Sequence, residues 1–168
     1  MSLFMFRGTG SAYWLPSSID IAEDGLTAAD LEATGVLDLT DAVNAMSGFE
    51  PSSSPINVPI LRSRQSAQIP GEETFGNPQI VLVEENGEDS DAVAVLRQTI
   101  LNTLIRDATG TLVVFRNTQD PETGDDFFYV RATVANQTPN FTLDAAAATT
   151  AINLTPQHEL RKGTVATA

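Results

Sequence analysis

Residues 88–116, EDSDAVAVLRQTILNTLIRDATGTLVVFR, combine an acidic start, a helical apolar pattern and a short apolar strand. Asp89, Ser90 and Asp91 offer capping oxygens and negative charge at the helix start, and Arg106 lies in the last predicted turn. The apolar residues between them recur at helical spacing: Val93, Leu96, Ile100, Leu101, Leu104 and Ile105. The pattern predicts a helix over residues 90–107 that turns at Gly110 into a strand over residues 112–115. The apolar stripe of this helix must be buried against a sheet.

The rest of the chain predicts short strands separated by Gly, Pro, Ser and Asn. Strands are expected at residues 36–46, 56–61, 79–84, 127–134 and 149–154, with one core face on the fourth and a hairpin turn at residues 120–126 before it. The predicted fold class is mainly β (α+β), a β-sandwich or open barrel with one flanking α-helix, long loops, and N-terminal and C-terminal arms. We predict an arm at residues 1–19, a single domain at residues 20–156 and a tail at residues 157–168.

Composition limits the function. At 168 residues the chain is long enough for one domain with a sizeable core. The formal net charge of −13 predicts repulsion from nucleic acid and from anionic membranes. No cysteine is present, which excludes disulfides and thiolate metal sites. No apolar stretch reaches the length of a membrane span and no secretory signal is recognisable, so we expect neither.

Catalytic chemistry is not indicated by the residues available. His158, the one histidine, follows Pro156 near the end of the chain, and we expect it to be a solvated loop residue. A pair of catalytic carboxylates would meet only in the fold. We expect no enzyme activity, no catalytic residue, no cofactor and no metal.

Carboxylates are concentrated in residues 20–50, where no Lys or Arg occurs. Thr27 and Asp30 have the spacing of a helix cap, which predicts a short helix at residues 28–33. The group is either a solvated face or a functional one that coordinates Ca²⁺ or supplies a negative field. Its members are Asp20, Glu23, Asp24, Asp30, Glu32, Asp38, Asp41 and Glu50.

Two further segments carry candidate contact residues. Near the N-terminus, Phe4, Phe6, Tyr13 and Trp14 either tuck onto the chain's own core or insert into a neighbouring copy. Residues 62–78 form a long predicted loop that follows an edge strand at residues 56–61, and this loop is either a surface loop or a docking surface. Its candidate contact residues are Arg62, Arg64, Ile69, Glu72, Glu73 and Phe75.

The order of these parts resembles the major tail tube protein of long-tailed, siphovirus-type bacteriophages. The resemblance rests on LTDAV at residues 39–43, SGF at 47–49, INV at 56–58 and IPG at 69–71, followed by an apolar strand, an acidic turn, the helix and the strand led by Gly110. It covers residues 20–155.

The resemblance implies a virion structural protein, made in the host bacterial cytoplasm, whose copies form hexameric rings. The rings would stack head to tail into a tail tube. It further implies contacts with other tail proteins and an acidic lumen through which genomic DNA passes without specific binding. Residues 62–78 would make the contacts between rings, with residues 48–55 as the alternative.

Other functions stay open at this point. One is a phage head decoration or tail-terminator protein. Another is a β-sandwich module that binds carbohydrate or protein, with calcium held by Asp120, Asp125 and Asp126.

Overall fold

The computed structural model describes residues 9–21, 25–58, 67–69, 71–84, 91–141 and 148–167. Two α-helices are present in these residues, α1 (Ala28–Leu31) and α2 (Ala92–Thr103). The strands are β1 (Ser11–Pro16), β2 (Leu37–Asp38), β3 (Val43–Ser47), β4 (Pro51–Ser53), β5 (Ile56–Val58), β6 (Ala67–Ile69), β7 (Glu73–Phe75), β8 (Gln79–Val83), β9 (Thr109–Phe115), β10 (Asp126–Pro139), β11 (Thr149–Pro156) and β12 (Arg161–Thr164).

One antiparallel sheet organises the chain. Its strand order is β2-β1-β9-β10-β11-β8-β3, and β12 pairs with the beginning of β10. The long strand β10 joins the two halves, because β9 runs along one of its edges while β12 and then β11 occupy the other. Every pair of neighbouring strands in this order is antiparallel.

The sheet curls into an open barrel because its two edge strands are nearly consecutive in the chain. Six steps between strands would separate β2 from β3 by about 29 Å in a flat sheet. Only residues 39–42 join them, and this link spans at most about 18 Å. The Leu39 N–H also donates to the Ala12 carbonyl at 2.8 Å, and the Val83 N–H donates to the Ala42 carbonyl at 2.9 Å, so the link is bonded to both halves of the sheet.

The interior of the barrel is filled by alternate residues of its strands. Trp14, Ile80 and Ile152 come from distant strands and pack in one buried cluster. Helix α2 adds Ile100 to this cluster, and the cap residue Leu104 that follows the helix packs there too. The structure therefore confirms the predicted fold class, an open barrel with a flanking helix.

A second cluster lies on the outward face of the same sheet, over β1, β9 and β10. Val113, Phe115 and Phe127 point away from the barrel interior and are covered by Ile21 and Leu26 of the segment that follows β1. The prediction of a single core face on residues 127–134 was therefore wrong. Alternation along the strand cannot reveal that another segment covers its second face.

Helix α2 is shorter than the predicted helix over residues 90–107. It ends at Thr103 because the Gln137 amide donates to the carbonyl oxygens of Leu101 and Leu104, at 2.7 and 2.9 Å. Ile105 is exposed, contrary to its place in the predicted stripe. Asp91 occupies the N-cap position without a side-chain cap bond, and Asp89 and Ser90 lie outside the described residues.

Gly110 does not turn the chain but lies inside β9. A Cβ at this position would come within 2.5 Å of the Leu15 carbonyl oxygen and of the Trp14 ring, so the close approach of β1 to β9 requires glycine. The predicted strand at residues 36–46 is two strands, because residues 39–42 cross from one sheet edge to the other. The predicted final strand and the hairpin turn before residue 127 are both present.

Candidate assembly surfaces

A two-stranded hairpin leaves the barrel between β3 and β8, and we call its described residues, 51–58, 67–69 and 71–75, the hairpin arm. β4 pairs with β7, and β5 pairs with β6 in the same antiparallel sense. At about 3.3 Å per residue, residues 51–58 extend about 25 Å. The predicted loop at residues 62–78 thus contains two strands, and Ile56–Val58 pairs with Ala67–Ile69 and not with the main sheet.

The outer half of the hairpin arm presents an uncovered apolar face. Ile56 lies directly opposite Ile69, and Val58 is two residues further along the same strand, so all three share one face. Their exposures are 54%, 48% and 38%. A two-stranded hairpin is only marginally stable alone in water, and exposed apolar side chains on it indicate a binding surface.

The other residues predicted for this contact lie nearer the barrel or outside the described part. Phe75 is half-buried at the base of the arm, where it pairs with Pro51. Glu72 is exposed just before β7, which begins at Glu73. Arg62 and Arg64 lie outside the described residues.

Tyr13 and Trp14, two of the four predicted arm anchors, belong to the sheet. Trp14 is only 3% exposed inside the barrel. Tyr13 is half-buried, with its ring edge-on to Phe115 at 6.1 Å, and burial raises the pKa of its hydroxyl. Phe4 and Phe6 lie outside the described residues. Residues 11–16 of the segment predicted as an N-terminal arm therefore form strand β1 of the sheet. At the other end of the chain, residues 157–168 were predicted as a tail, and they contain strand β12 and the buried Val165.

The acidic residues of the segment 20–50 are spread along the surface of its folded part. Asp30 caps α1, since its carboxylate accepts from the Thr27 N–H at 2.8 Å, and Asp38 accepts from the Thr40 N–H at 2.9 Å. Glu32, Asp41 and Glu50 are exposed, Asp20 is half-buried, and Glu23 and Asp24 lie outside the described residues. Among the described residues, no group of three or more His, Asp or Glu side chains is arranged to hold a metal ion.

The carboxylates of the turn at residues 120–126 have partners within the fold. Asp125 accepts from the Glu122 N–H at 2.8 Å, as turn side chains do. Asp126 lies 2.6 Å from the Lys162 ammonium and accepts from the Thr164 hydroxyl, and these bonds lower its pKa. Such use of the carboxylates favours the hairpin-turn interpretation over a calcium site.

His158 is a structural residue and not the solvated one predicted from its position. Its Nε2 accepts from the Arg131 N–H at 3.1 Å, its Nδ1 lies 2.6 Å from the Glu159 carbonyl oxygen, and its ring stands edge-on to Tyr129. These bonds hold the chain between β11 and β12 against β10.

An uncharged polar patch lies on the outward side of β11, β8, β3 and the second half of β10, beyond Arg131, and sequence reasoning missed it. We call it the open face and define it by six residues that are exposed or half-buried: Ser47, Gln79, Thr133, Asn136, Thr138 and Asn153. The Asn153 amide donates to Asn136 at 2.6 Å and to Thr138 at 3.1 Å, and the Gln79 amide donates to Ser47 at 3.0 Å. Alternation of these polar residues with Ile80, Ile152 and Leu154 was the available signal.

An apolar cavity of about 360 Å³ opens beside the base of the hairpin arm. Its walls come from both halves of the barrel, with β3 and the residues after it on one side and β9 and β10 on the other. The apolar lining consists mainly of Met46, Phe49, Leu112, Val114, Val130 and Leu160. Glu50 and Arg116 also line it and provide one charge of each sign.

Comparison with known proteins agrees with this geometry. A family model described as phage tail tube protein matches residues 2–168. No curated protein sequence matches the chain.

Three solved structures are similar in fold at low sequence identity. A chain of the anti-feeding prophage baseplate, solved with 6-fold symmetry, aligns over 98% of this chain and 99% of its own length, with a TM-score of 0.59 and 10% identity. A chain of the sheath-tube complex of an extracellular contractile injection system aligns over 95% of this chain and 90% of its own length, with a TM-score of 0.55 and 13% identity. A chain of the sheath/tube terminator of such a system aligns over 96% of this chain and 97% of its own length, with a TM-score of 0.57 and 14% identity.

Proposed function

Because this chain belongs to the phage tail tube protein family, we propose that its copies form hexameric rings that stack into the tube of a phage tail. The protein is thus a structural component of the virion tail and not an enzyme. A structural neighbour solved with 6-fold symmetry supports the ring size. The observation that carries the proposal is the apolar face of the hairpin arm, which the described part of its own chain leaves uncovered.

The hairpin arm is suited to contact between rings. Its inner strands β4 and β7 lie beside residues 156–159 of the barrel, and the pair β5 and β6 lies further along the arm, away from the main sheet. A projecting segment that binds a different patch on the next copy makes a head-to-tail contact, and repetition of such contacts builds a filament. We assign Ile56, Val58 and Ile69 to this contact, with Glu72, Glu73, Phe75, Arg62 and Arg64 as flanking residues.

The outward side of the sheet is suited to face the channel. The six residues of the open face carry no charge, although Arg131 lies next to them on β10, and the acidic segment lies over β1 and β9 on the same side of the sheet. Uncharged walls flanked by carboxylates would not exchange counterions with DNA phosphates, so the counterion release that drives non-specific binding is removed. We propose that DNA leaves the virion along this surface without binding to it.

Electron microscopy of the purified protein tests the tube. Long tubes with a central hole and a regular axial repeat are expected at high protein concentration. Particles that stay single at every concentration, in the presence of preformed tail ends as initiators, would contradict the proposal.

A paired substitution tests the role of the hairpin arm. Ile56→Thr with Ile69→Thr keeps β-branched side chains but removes the two larger of the three apolar side chains on this face, so a folded protein that no longer forms tubes is expected. Gln68→Thr changes the opposite face of β6 and is the matched control, which should still form tubes. Normal tubes from the paired variant would rule out the assigned contact.

A tail terminator is the second candidate, because one structural neighbour belongs to a sheath/tube terminator complex. A terminator closes a tube and does not continue it. Closed single rings at high concentration, which bind to the end of a tube built by another protein, would favour this function over that of a tube subunit.

The partners follow from the proposed role. The chain assembles with its own copies and with other tail proteins. None of the described helices is long and apolar enough to cross a membrane. We propose that the protein is made in the cytoplasm of the bacterial host before it joins the tail.

A further inference from the structure

The apolar cavity beside the hairpin arm is open to solvent on one side. Its volume of about 360 Å³ lies within the range of pockets that hold a ligand or a side chain from another segment. The lining is apolar apart from Ser47, Glu50 and Arg116, so it suits an apolar occupant with a charged neighbour.

Residues 1–8, MSLFMFRG, have this chemistry. Leu3, Phe4, Met5 and Phe6 form a continuous apolar run, and Arg7 follows directly. With an aromatic side chain of this run in the cavity, Arg7 would lie near the charged part of the lining, where Glu50 carries the opposite charge and Arg116 a like one.

The place where the chain enters β1 brings this segment close to the cavity. Ser11 pairs with Phe115, so residue 10 leaves the sheet at the level of Arg116, which lines the cavity. Six Cα–Cα steps lead from Gly10 back to Phe4, a reach of about 20 Å. A tether this short gives the chain's own segment a high effective concentration at the cavity, which favours it over the same segment of another copy.

We propose that residues 1–8 of each chain fold over the apolar cavity, with Phe4 and Phe6 inside it and Arg7 beside Glu50. Phe49 and Pro51 line the cavity and also form the base of the hairpin arm. The seated segment therefore fixes the direction in which the arm leaves the barrel. This inference concerns the single chain and does not depend on the proposed tube.

Photo-crosslinking of the full chain tests the occupant directly. The photoreactive p-benzoylphenylalanine replaces Phe6, in protein kept dilute enough for sedimentation to show single copies. The expected crosslinks join position 6 to peptides that contain Met46 or Leu160. The same probe in place of Phe141, which is 86% exposed, should give no crosslink to the cavity.

An equal mixture of isotopically light and heavy protein identifies the chain that supplies the segment. Crosslinked peptides that are entirely light or entirely heavy are expected. Mixed light and heavy pairs would show a segment from a neighbouring copy and overturn the proposal, as would the absence of any crosslink to the cavity.

Hydrogen exchange tests the effect on the arm. In the variant Phe4→Ser with Phe6→Ser, the amides of residues 49–53 should exchange about tenfold faster, because the base of the arm loses its packing. Phe141→Ser is the control and should leave these amides unchanged. Equal exchange in both variants would show that the segment does not support the arm. All these measurements use single copies, so a failure to form tubes would leave their outcome intact.

Discussion

The barrel and the hairpin arm use the same kinds of residue for different purposes. Ile152 and Ile80 are fully buried between β11, β8 and the opposite half of the barrel. Ile56 and Ile69 also face each other across two strands, yet about half of each side chain is exposed. A buried isoleucine stabilises the single chain, because its apolar area leaves water on folding. The isoleucines of the arm lose that area only when another surface covers them.

This difference separates folding from assembly. None of the buried apolar side chains of the described residues belongs to the arm, so substitutions on the arm should leave the monomer intact. Conversely, substitutions in the barrel should act on the stability of the monomer whether or not copies associate.

The largest expected effect comes from the core of the barrel. Ile152→Ala removes a fully buried side chain and should lower the free energy of unfolding by about 3 to 4 kcal/mol. Ile69→Ala on the arm should change it by less than about 0.5 kcal/mol. Urea unfolding of the dilute protein measures both. Equal losses would mean that the arm is part of the folded core, and the comparison would fail.

A smaller effect is expected where β1 crosses β9. Gly110→Ala places a Cβ within 2.5 Å of the Leu15 carbonyl and the Trp14 ring, which should cost about 2 to 3 kcal/mol. At Gly76, near the base of the arm, an added Cβ meets nothing within 4 Å. Gly76→Ala is therefore the matched control, with an expected change near zero. Thermal unfolding of the two variants measures both changes, and equal losses of stability would show that the close approach of β1 to Gly110 is not the cause.

The end of helix α2 gives the next effect. Gln137→Ala leaves the carbonyl oxygens of Leu101 and Leu104 without their donor and should cost about 1 to 2 kcal/mol. Gln98→Ala lies on the exposed side of the same helix and should be nearly neutral. Hydrogen exchange of the last turn should rise in the first variant alone. If Gln98→Ala loosened this turn equally, the cap would not explain where the helix ends.

The smallest effect is a pH dependence at the rim of the barrel. The bonds from Lys162 and Thr164 lower the pKa of Asp126 in the folded protein. The carboxylate therefore adds stability above its ordinary pKa, and this contribution is lost as the pH falls through the lowered value. The melting temperatures of the native protein and of Asp126→Asn should differ slightly at neutral pH and converge in acid. In a Lys162→Gln background the difference at neutral pH should shrink, and an undiminished difference would exclude the ion pair as its cause.

Much of the barrel could be predicted from the sequence because its signals are local. The alternation that identifies β8, β10 and β11 lies within each strand, as do the capping box of Thr27 and Asp30 and the turn before β10. The end of α2 could not be predicted, because its cap comes from Gln137, more than 30 residues away. The same reason applies to Tyr13 and Trp14, which were assigned to an arm because nothing near them in sequence shows that β9 and β2 pair with β1.

Among the candidate surfaces too, only the one with a local sequence signal was predicted. Ile69 was predicted as a contact residue from its apolar character within a polar stretch, and it lies on the exposed face of the arm. The open face and the apolar cavity were not predicted, since each combines residues from several strands that are far apart in the chain.

By itself the sequence determined the mainly β fold class with its helix, the acidic balance and the resemblance to tail tube proteins, because composition and periodicity are properties of neighbouring residues. Only the tertiary structure decided that the edge strands meet across residues 39–42, that the hairpin arm leaves the barrel, and that three apolar side chains remain uncovered on it. The reason is physical: burial depends on which distant segment covers a side chain, and contacts between distant segments are fixed by the packing of the whole fold.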